Sequence, residues 1–360
     1  MIHVSMFNNQ TVTSKNNLTF AALACLITCT AATLGWSAEP ALERFERTER
    51  HMGVDCSVIL YAANAEAAQP AFEACFAIFA HIDRIASDYS PESELSLLAK
   101  QSPTPEPVKL SDDLWQLLRL SQAFSERSEG AFDITVGPLT KLWRRAKRQR
   151  ELPTDDELRS ALAAVGWQKV GLFPEQRAVS LHTANMRLDL GGIAQGYAAD
   201  LALAKLRELG ITRALIDISG DIRCGEAPPH AAGWRVGIAP LTAEGAAEGF
   251  ILLTNAGLAT SGDAFRGVEI GGVRYSHIVD PHTGIGLQHR SSVTIIAPQA
   301  TTADALSTAV SVLGAEAGLA LLEKYPGTSG RIVWQDAAGA THERHSPTWK
   351  LERSTSGHSN

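Results

Sequence analysis

The sequence lacks several features that would assign it to a common class of protein. Its 32 Lys and Arg residues are outnumbered by 39 Asp and Glu residues, which gives a net charge of -7. A chain with no basic excess has little with which to neutralise nucleic-acid phosphates, so a general nucleic-acid-binding function is disfavoured. Internal repeats and low-complexity linkers are also absent. The 45% hydrophobic and 20% charged residues over 360 positions are typical of a globular protein with ample material for a core.

Cysteines and familiar catalytic motifs are scarce as well. Beyond the N-terminal region the cysteines are Cys56, Cys75 and Cys224, an odd and widely spaced set that forms neither a disulfide framework nor a CxxC metal site. We expect them to be small buried hydrophobic residues. GxSxG and HExxH motifs do not occur, so a classical serine hydrolase or zinc protease finds no support. A phosphate-binding P-loop and a GxGxxG dinucleotide fingerprint are missing too.

An apolar run stands at the N-terminus. Lys15 precedes the run over residues 18–34, and small residues ending at Ala38 offer a cleavage site. This pattern predicts a signal peptide over residues 1–38 and an exported, periplasmic protein. A membrane anchor is the alternative, but the run is short and interrupted by threonines. A lipid anchor at Cys29 is a further alternative, although the small residue expected before such a cysteine is absent.

Beyond residue 38 the patterns of helices and strands intermix. They predict one mixed α+β domain over residues 39–350, followed by a disordered tail over residues 351–360. Short apolar runs predict strands at residues 214–218, 251–254, 293–297 and 331–334.

Helices are predicted from apolar spacing and capping residues. One core-facing helix is indicated by the stripe Phe72, Cys75, Phe76, Phe79 and Ile82. Ser111 begins a second helix, and Thr154 with Glu157 forms a capping box for a third. Another helix is expected from about residue 302 to residue 313, ended by Gly314.

Asp304 and Thr308 carry the plainest chemical pattern. Four residues apart on the expected helix, they share one face. Magnesium takes oxygen ligands, usually one or two carboxylates together with waters and substrate phosphates, so this pair can supply part of its shell. The alternative is that Asp304 favours the positive end of its helix while Thr308 bonds back to a carbonyl. Spacing alone favours that alternative.

Two further segments combine glycines with polar residues. In residues 188–200, paired glycines precede a helix and would let a ligand approach bare backbone, although tight packing of helix on strand would also use them. Residues 130–139 are too irregular for a plain helix. They fit equally well a ligand loop and a helix end at which Asp133 caps the next segment.

Residues 260–263 and 276–284 place polar groups beside turn signals. The second segment contains His277, an imidazole that can transfer protons near neutral pH, and Asp280 is close enough in sequence to orient it. A lone histidine is more often structural.

Considered together, these segments resemble the ApbE family of FAD-protein FMN transferases in their residues and in their order along the chain. The resemblance runs from about Met52 to Trp334. It rests on Met52-Gly53, on residues 87–96, 130–139, 188–200, 219–222, 259–263 and 277–281, and on the helix at residues 303–308.

The resemblance implies a set of functional residues. The FAD site would be lined by Met52, Tyr89, Ala131, Phe132, Asp133, Asp189, Gln195 and Ile278. Magnesium would be bound by the backbone carbonyl of Gly192 and the side chains of Asp304 and Thr308, with FAD phosphate oxygens completing the shell. His277 is the candidate that manages the proton of the attacking hydroxyl.

The implied reaction is attack of a Ser or Thr hydroxyl of a partner protein on the FMN phosphorus of FAD, with AMP leaving. The partner would be an exported or membrane-bound electron-transfer subunit. A FAD pyrophosphatase, in which water replaces the hydroxyl, is the rival enzyme, and a non-catalytic FAD-binding protein is the rival from another class. Retention of Asp304, Thr308 and His277 argues against the latter.

Three departures from the family pattern stand out. Gln195 occupies a position where many members carry Lys, Ser219 one where Gly is usual, and residues 97–99 lack a common Asn. We expect them to affect FAD affinity more than fold.

Overall fold

The computed structural model describes residues 42–238, 241, 249–262, 267–336 and 338–352. The expected signal peptide, Asp263 of the segment 260–263, and residues 353–360 of the expected tail lie outside the described residues. The first two tail residues are described: the backbones of Phe250 and Glu352 exchange two hydrogen bonds of 2.9 Å.

The described residues form seven α-helices and fifteen β-strands. The helices are α1 (Ala65–Ala86), α2 (Glu94–Lys100), α3 (Asp112–Arg127), α4 (Gly137–Gln149), α5 (Asp155–Ala163), α6 (Ala194–Glu208) and α7 (Ala300–Glu323). The strands are β1 (Glu43–His51), β2 (Val54–Ala62), β3 (Val108–Lys109), β4 (Val170–Phe173), β5 (Ala178–Leu181), β6 (Ala214–Ile218), β7 (Asp221–Cys224), β8 (Trp234–Ile238), β9 (Gly249–Leu253), β10 (Gly257–Gly262), β11 (Val268–Ile270), β12 (Val273–Tyr275), β13 (Ser291–Ala297), β14 (Ser329–Gln335) and β15 (Thr341–His345).

The main sheet is antiparallel throughout and has the strand order β1-β2-β6-β7-β10-β13-β14-β15. Its strands alternate side chains between two faces. Val58 and Leu60 point into a core with α1, α6 and α7, whereas Ile59 belongs to a second core under β8 and β9. Helices on an antiparallel sheet confirm the α+β class. The three described cysteines are free and buried, as expected.

The predicted helix signals correspond to observed helices. The apolar stripe of α1 is buried, and the capping box of α5 is present with both of its hydrogen bonds. Gly314 interrupts α7 with φ 76° and ψ -174°, after which the helix resumes instead of ending. Length and composition alone would let α7 cross a membrane, but half of that apolar window is buried inside the protein. Its apolar character is that of a core helix.

Two hairpin turns lie at one end of the main sheet. Met52 and Gly53 connect β1 to β2 with φ of 51° and 75°, and Ser219 and Gly220 connect β6 to β7 with φ of 55° and 104°. The pairing of Cys56 with Ile218 brings the two turns side by side. Because Ser219 adopts a left-handed φ, it costs about 1 kcal/mol relative to glycine, which is a physical reason for glycine at this position.

Candidate functional site

The site is centred on the junction between α6 and α7. Ile193, the N-cap residue of α6, makes no capping hydrogen bond with its side chain. Instead, the Gly196 amide donates to Oδ2 of Asp304 on α7, at 3.1 Å. The alternative role expected for Asp304 was a position at the positive end of its own helix. Asp304 does lie at the positive end of a helix, but that helix is α6, whereas Asp304 belongs to α7.

Glycines allow this close approach. A Cβ atom placed on Gly196 would lie 2.4 Å from the Ala300 carbonyl oxygen, and one on Gly257 would lie 2.4 Å from the Ala300 nitrogen. Both distances are far below van der Waals contact, so α7 can pack between α6 and β10 only where these side chains are absent. Gly196 therefore serves the packing of helix α6 on helix α7, a role that the sequence did not indicate.

Asp200 fixes the start of α7. Its carboxylate accepts hydrogen bonds from the amides of Ala300 and Thr301, at 3.0 and 2.9 Å, and from the Thr301 hydroxyl at 2.6 Å. It also pairs at 2.8 Å with Arg223, whose side chain is 9% exposed. Asp200 belongs to the glycine-containing segment 188–200, but no sequence pattern assigns it this role. Its charge in the middle of an otherwise apolar helical face was the available signal.

Gly192 and Thr308 lie next to each other, and Thr308 is one helical turn along α7 from Asp304. A Cβ atom on Gly192 would lie 2.8 Å from Thr308 Oγ1, so the Gly192 backbone and that hydroxyl are neighbours. The first backbone bond of α6 runs from the Tyr197 amide to the Ile193 carbonyl. Within the described part of the chain, the Gly192 carbonyl and Thr308 Oγ1 make no hydrogen bond. Unpaired oxygens beside a carboxylate are ligands of the kind that a hard cation takes.

The charge at this junction is buried. Asp304 is 4% exposed, and burial raises the pKa of its carboxyl to about 7, with the Gly196 amide opposing that rise. No group of three His, Cys, Asp or Glu side chains able to hold a metal occurs among the described residues. A cation held here by one carboxylate, one hydroxyl and one carbonyl would need further oxygens from a bound molecule.

A second cluster is organised by Arg144 of α4. Its guanidinium bonds to Asp88 and, at 3.0 Å, to Asp189, and it lies 4.1 Å from the centroid of the Tyr89 ring. Burial and then Asp189 raise the pKa of Asp88, and Arg144 opposes both effects. Tyr89 is 76% exposed, which is unusual for so large an aromatic side chain. The cluster therefore holds an aromatic face open to solvent.

The two clusters are joined through the loop before α6. Asp189 Oδ1 accepts from the Gly191 amide at 2.9 Å, and the Asp189 amide donates to the Ile134 carbonyl at 2.7 Å. Phe132 lies 3.4 Å from a Cβ placed on Gly192. Segments far apart in the sequence are thus in contact. No motif singles out Arg144, and the basic run in α4 is its only signal in the sequence.

Asp133 is engaged by the chain itself. It caps the 3-10 turn Ile134–Val136 by accepting from the Thr135 amide and hydroxyl at 2.8 and 2.7 Å, and its second oxygen accepts from the Trp167 amide at 2.9 Å. Burial raises its pKa and these hydrogen bonds lower it, with a net rise. This is the capping role that the alternative for residues 130–139 expected. The adjacent Ala131 and Phe132 are buried.

The remaining candidate residues lie in the loop between β12 and β13 and at the start of α6. His277 is exposed and precedes the buried Ile278. Asp280 uses one oxygen for the His282 amide and the other for the Thr283 hydroxyl. His282 approaches Gly130, where a Cβ would lie 3.2 Å from its ring. Gln195 is half-buried in the first turn of α6.

Fold and site together define a protein that holds the buried Asp304 carboxylate near the Gly192 and Thr308 oxygens and, through the loop before α6, joins them to a cluster with an exposed Tyr89 ring. The chain belongs to the ApbE family, whose model matches residues 52–332, nearly the range over which the sequence resembles that family.

Curated relatives and solved structures agree with this assignment. The chain is 34% identical over 255 residues to the FAD:protein FMN transferase of Haemophilus influenzae, covering 69% of this chain and 74% of that protein. It is 32% identical over 330 residues to the FAD:protein FMN transferase of Treponema pallidum, and the match covers 87% of this chain and 90% of that protein. The apo flavinyl transferase ApbE of Pseudomonas stutzeri superposes with a TM-score of 0.74 at 29% identity, over 85% of this chain and 95% of that one. The flavin transferase ApbE from Vibrio cholerae superposes with a TM-score of 0.76 at 27% sequence identity, over 85% of this chain and 98% of that one.

Proposed function

We propose that this protein transfers FMN from FAD to a Ser or Thr hydroxyl of a partner protein in a magnesium-dependent reaction. The observation that carries the proposal is the set of unpaired oxygens at Gly192 and Thr308 beside the buried Asp304. The names of the curated relatives supply the flavin and the protein acceptor.

The proposed transfer forms one bond to the FMN phosphorus and breaks one. The acceptor oxygen forms a bond to the FMN phosphorus, the bond from that phosphorus to the bridging oxygen breaks, and AMP leaves with the electron pair. Bound at Gly192, Asp304 and Thr308, magnesium would neutralise charge on the pyrophosphate. A single carboxylate leaves room in the shell for phosphate oxygens. Manganese has a similar preference for oxygen ligands and is the alternative ion.

The flavin ring is assigned to the exposed face of Tyr89. The Arg144 guanidinium stacks over the Tyr89 ring and holds it in place, while Arg144 also bonds to Asp88 and Asp189. Stacking of flat aromatic systems stabilises by about 0.5–1.5 kcal/mol beyond the area buried. Met52, Ala131, Phe132, Asp133, Gln195 and Ile278 complete the proposed FAD site.

His277 is the proposed acceptor for the proton of the attacking hydroxyl. It is exposed at the edge of the loop that carries Ile278, where a hydroxyl brought by a second protein can reach it. An imidazole can take a proton near neutral pH and return it to solvent.

Export completes the proposal. We place the mature chain in the periplasm after cleavage at residue 38, where it meets an exported or membrane-bound electron-transfer subunit. Recovery from the periplasmic fraction of a chain that begins at Glu39 tests this, and an intact N-terminus in the cytoplasmic fraction contradicts it.

The test of the function measures two products. Mature protein is incubated with FAD and magnesium, with and without an acceptor domain that contains a Thr, and both AMP and acceptor mass are measured. A mass gain of one FMN together with AMP establishes transfer. Equal AMP release without acceptor indicates a FAD pyrophosphatase instead, and tight FAD binding with no AMP in either case indicates a binding protein.

A further inference from the structure

Helix α4 carries an unusual concentration of one charge. Residues 141–150 contain six Lys or Arg residues and no acidic residue, in a chain whose net charge is -7. The inner face of α4 is apolar: Leu139, Trp143 and Ala146 are buried in a core with α5 and the β11–β12 hairpin. The basic residues therefore occupy the outer face and the end of the helix.

Two of the six charges are used within the protein. Arg144 bonds to Asp88 and Asp189, and Arg145 pairs with Glu157 at 2.7 Å. The other four, Lys141, Lys147, Arg148 and Arg150, are exposed and form no ion pair with the described residues. We call these four the basic face.

Internal stability accounts for only part of the basic face. Cations in the last turn of a helix interact favourably with its dipole, which explains Lys147 and Arg148. It does not explain Lys141, four residues from Arg145 and nearer the positive end of the helix. Like charges at this spacing repel by about 0.2–0.5 kcal/mol per pair. A surface that carries such repulsion gains most when a partner supplies the opposite charge.

The basic face adjoins the proposed flavin site. Arg144, on the same helix, touches Tyr89 and Asp189. At about 1.5 Å rise per residue, Lys141, Lys147 and Arg148 lie within roughly 6 Å along the axis of Arg144. A protein acceptor that brings a hydroxyl to FAD must rest on the rim of this site, and α4 forms part of that rim.

We propose that the basic face docks an acidic surface of the acceptor protein and steers it toward the site. The inference rests on the proposed function, because it supposes a protein acceptor. Opposite charges across such a contact raise the association rate and align the partners. The chain carries no comparable run of basic residues elsewhere.

Binding, not catalysis, is the readout that tests this. The probe is a fluorescent Thr-containing peptide with four Asp residues, compared with the same peptide carrying four Asn residues. We measure fluorescence anisotropy with the mature protein in FAD and magnesium. We expect the Asp peptide to bind about tenfold tighter than the Asn peptide at low salt, and the preference to vanish near 0.5 M salt.

Charge reversal localises the effect. Lys147→Glu with Arg148→Glu should abolish the preference for the Asp peptide while FAD affinity stays unchanged. The milder pair Lys147→Gln with Arg148→Gln should weaken the preference and guards against loss of the helix. Lys109→Glu with Arg119→Glu changes net charge equally at exposed positions on β3 and α3 and should retain the preference.

Several outcomes overturn the inference. They are equal affinity of the wild type for the two peptides, an equal loss in the control pair, and binding of the basic face to vesicles with 30% phosphatidylglycerol but not to the Asp peptide. AMP release and acceptor mass, measured separately on the wild type, show whether the proposed function itself has failed.

Discussion

Thr308→Val tests the oxygen cluster with little other disturbance. Valine has nearly the shape of threonine and the same β-branching, so α7 accepts it. Thr308 Oγ1 makes no hydrogen bond with the described residues, so its removal breaks no bond within them. We expect the free energy of unfolding to change by no more than about 0.5 kcal/mol.

The effect on metal dependence should be much larger. The hydroxyl lies beside Gly192, with 2.8 Å to a Cβ built there, and is one of three proposed protein ligands. Loss of even an outer-sphere partner commonly costs about 10–100-fold in metal affinity, so the half-saturating magnesium concentration should rise about tenfold or more. AMP release at fixed FAD, measured across a magnesium series, gives this value.

Two companion variants make the measurement specific. Thr308→Ser keeps the hydroxyl and should behave as the wild type. Ser311→Ala removes a hydroxyl on the same helix whose bond is to the Ser307 carbonyl, at 2.8 Å, and should leave magnesium dependence unaltered. A Thr308→Val protein with wild-type magnesium dependence would refute the assignment of this hydroxyl as a ligand.

Further variants test the surrounding structure. Asp200→Asn removes the charge that caps α7 and pairs with the buried Arg223. The free energy of unfolding, measured by thermal unfolding, should therefore fall by about 2–4 kcal/mol. A fall of less than about 1 kcal/mol contradicts that role. Arg144→Lys should reduce quenching of flavin fluorescence by Tyr89 and raise the KM for FAD more than it lowers kcat; unchanged quenching argues against stacking of the flavin on Tyr89. Gln195→Lys adds a cation where many family members have one and should lower the Kd for FAD, and a raised Kd would sink that explanation. Glu157 has a pKa lowered to about 2, first by Arg145, so it stabilises the fold above its ordinary pKa. The melting-temperature difference between wild type and Glu157→Gln should therefore shrink as the pH falls from about 5 toward 3. A difference that grows over this range would contradict a stabilising Glu157 carboxylate.

Local signals indicated much of the secondary structure in advance. The helical stripe of α1 and the capping box at Thr154 depend on residues a few positions apart, and both are observed. The order of the main sheet was not predictable, because β2 pairs with β6 across more than 150 intervening residues and short apolar runs do not identify their partners. Gly314 shows a smaller limit: a left-handed residue can interrupt a helix without ending it.

In the candidate site, too, local patterns were predictable and contacts between distant segments were not. Spacing placed Asp304 and Thr308 on one face, but it could not reveal that Asp304 caps α6, since its partner Gly196 is 108 positions away. The contacts of Arg144 with Tyr89 and Asp189 likewise join three segments. Such contacts depend on how the helices pack, which a single sequence does not state.

Asp304→Asn in the transfer assay tests the central claim most directly. Asparagine keeps an oxygen for the Gly196 amide and removes a buried charge, so the variant should fold as well as the wild type by thermal unfolding. With FAD, magnesium and a Thr-containing acceptor, the wild type should add the mass of one FMN to the acceptor and release AMP, and chelation of magnesium should stop both. We expect no mass gain with Asp304→Asn. A folded Asp304→Asn protein that flavinylates the acceptor at the wild-type rate would contradict the account.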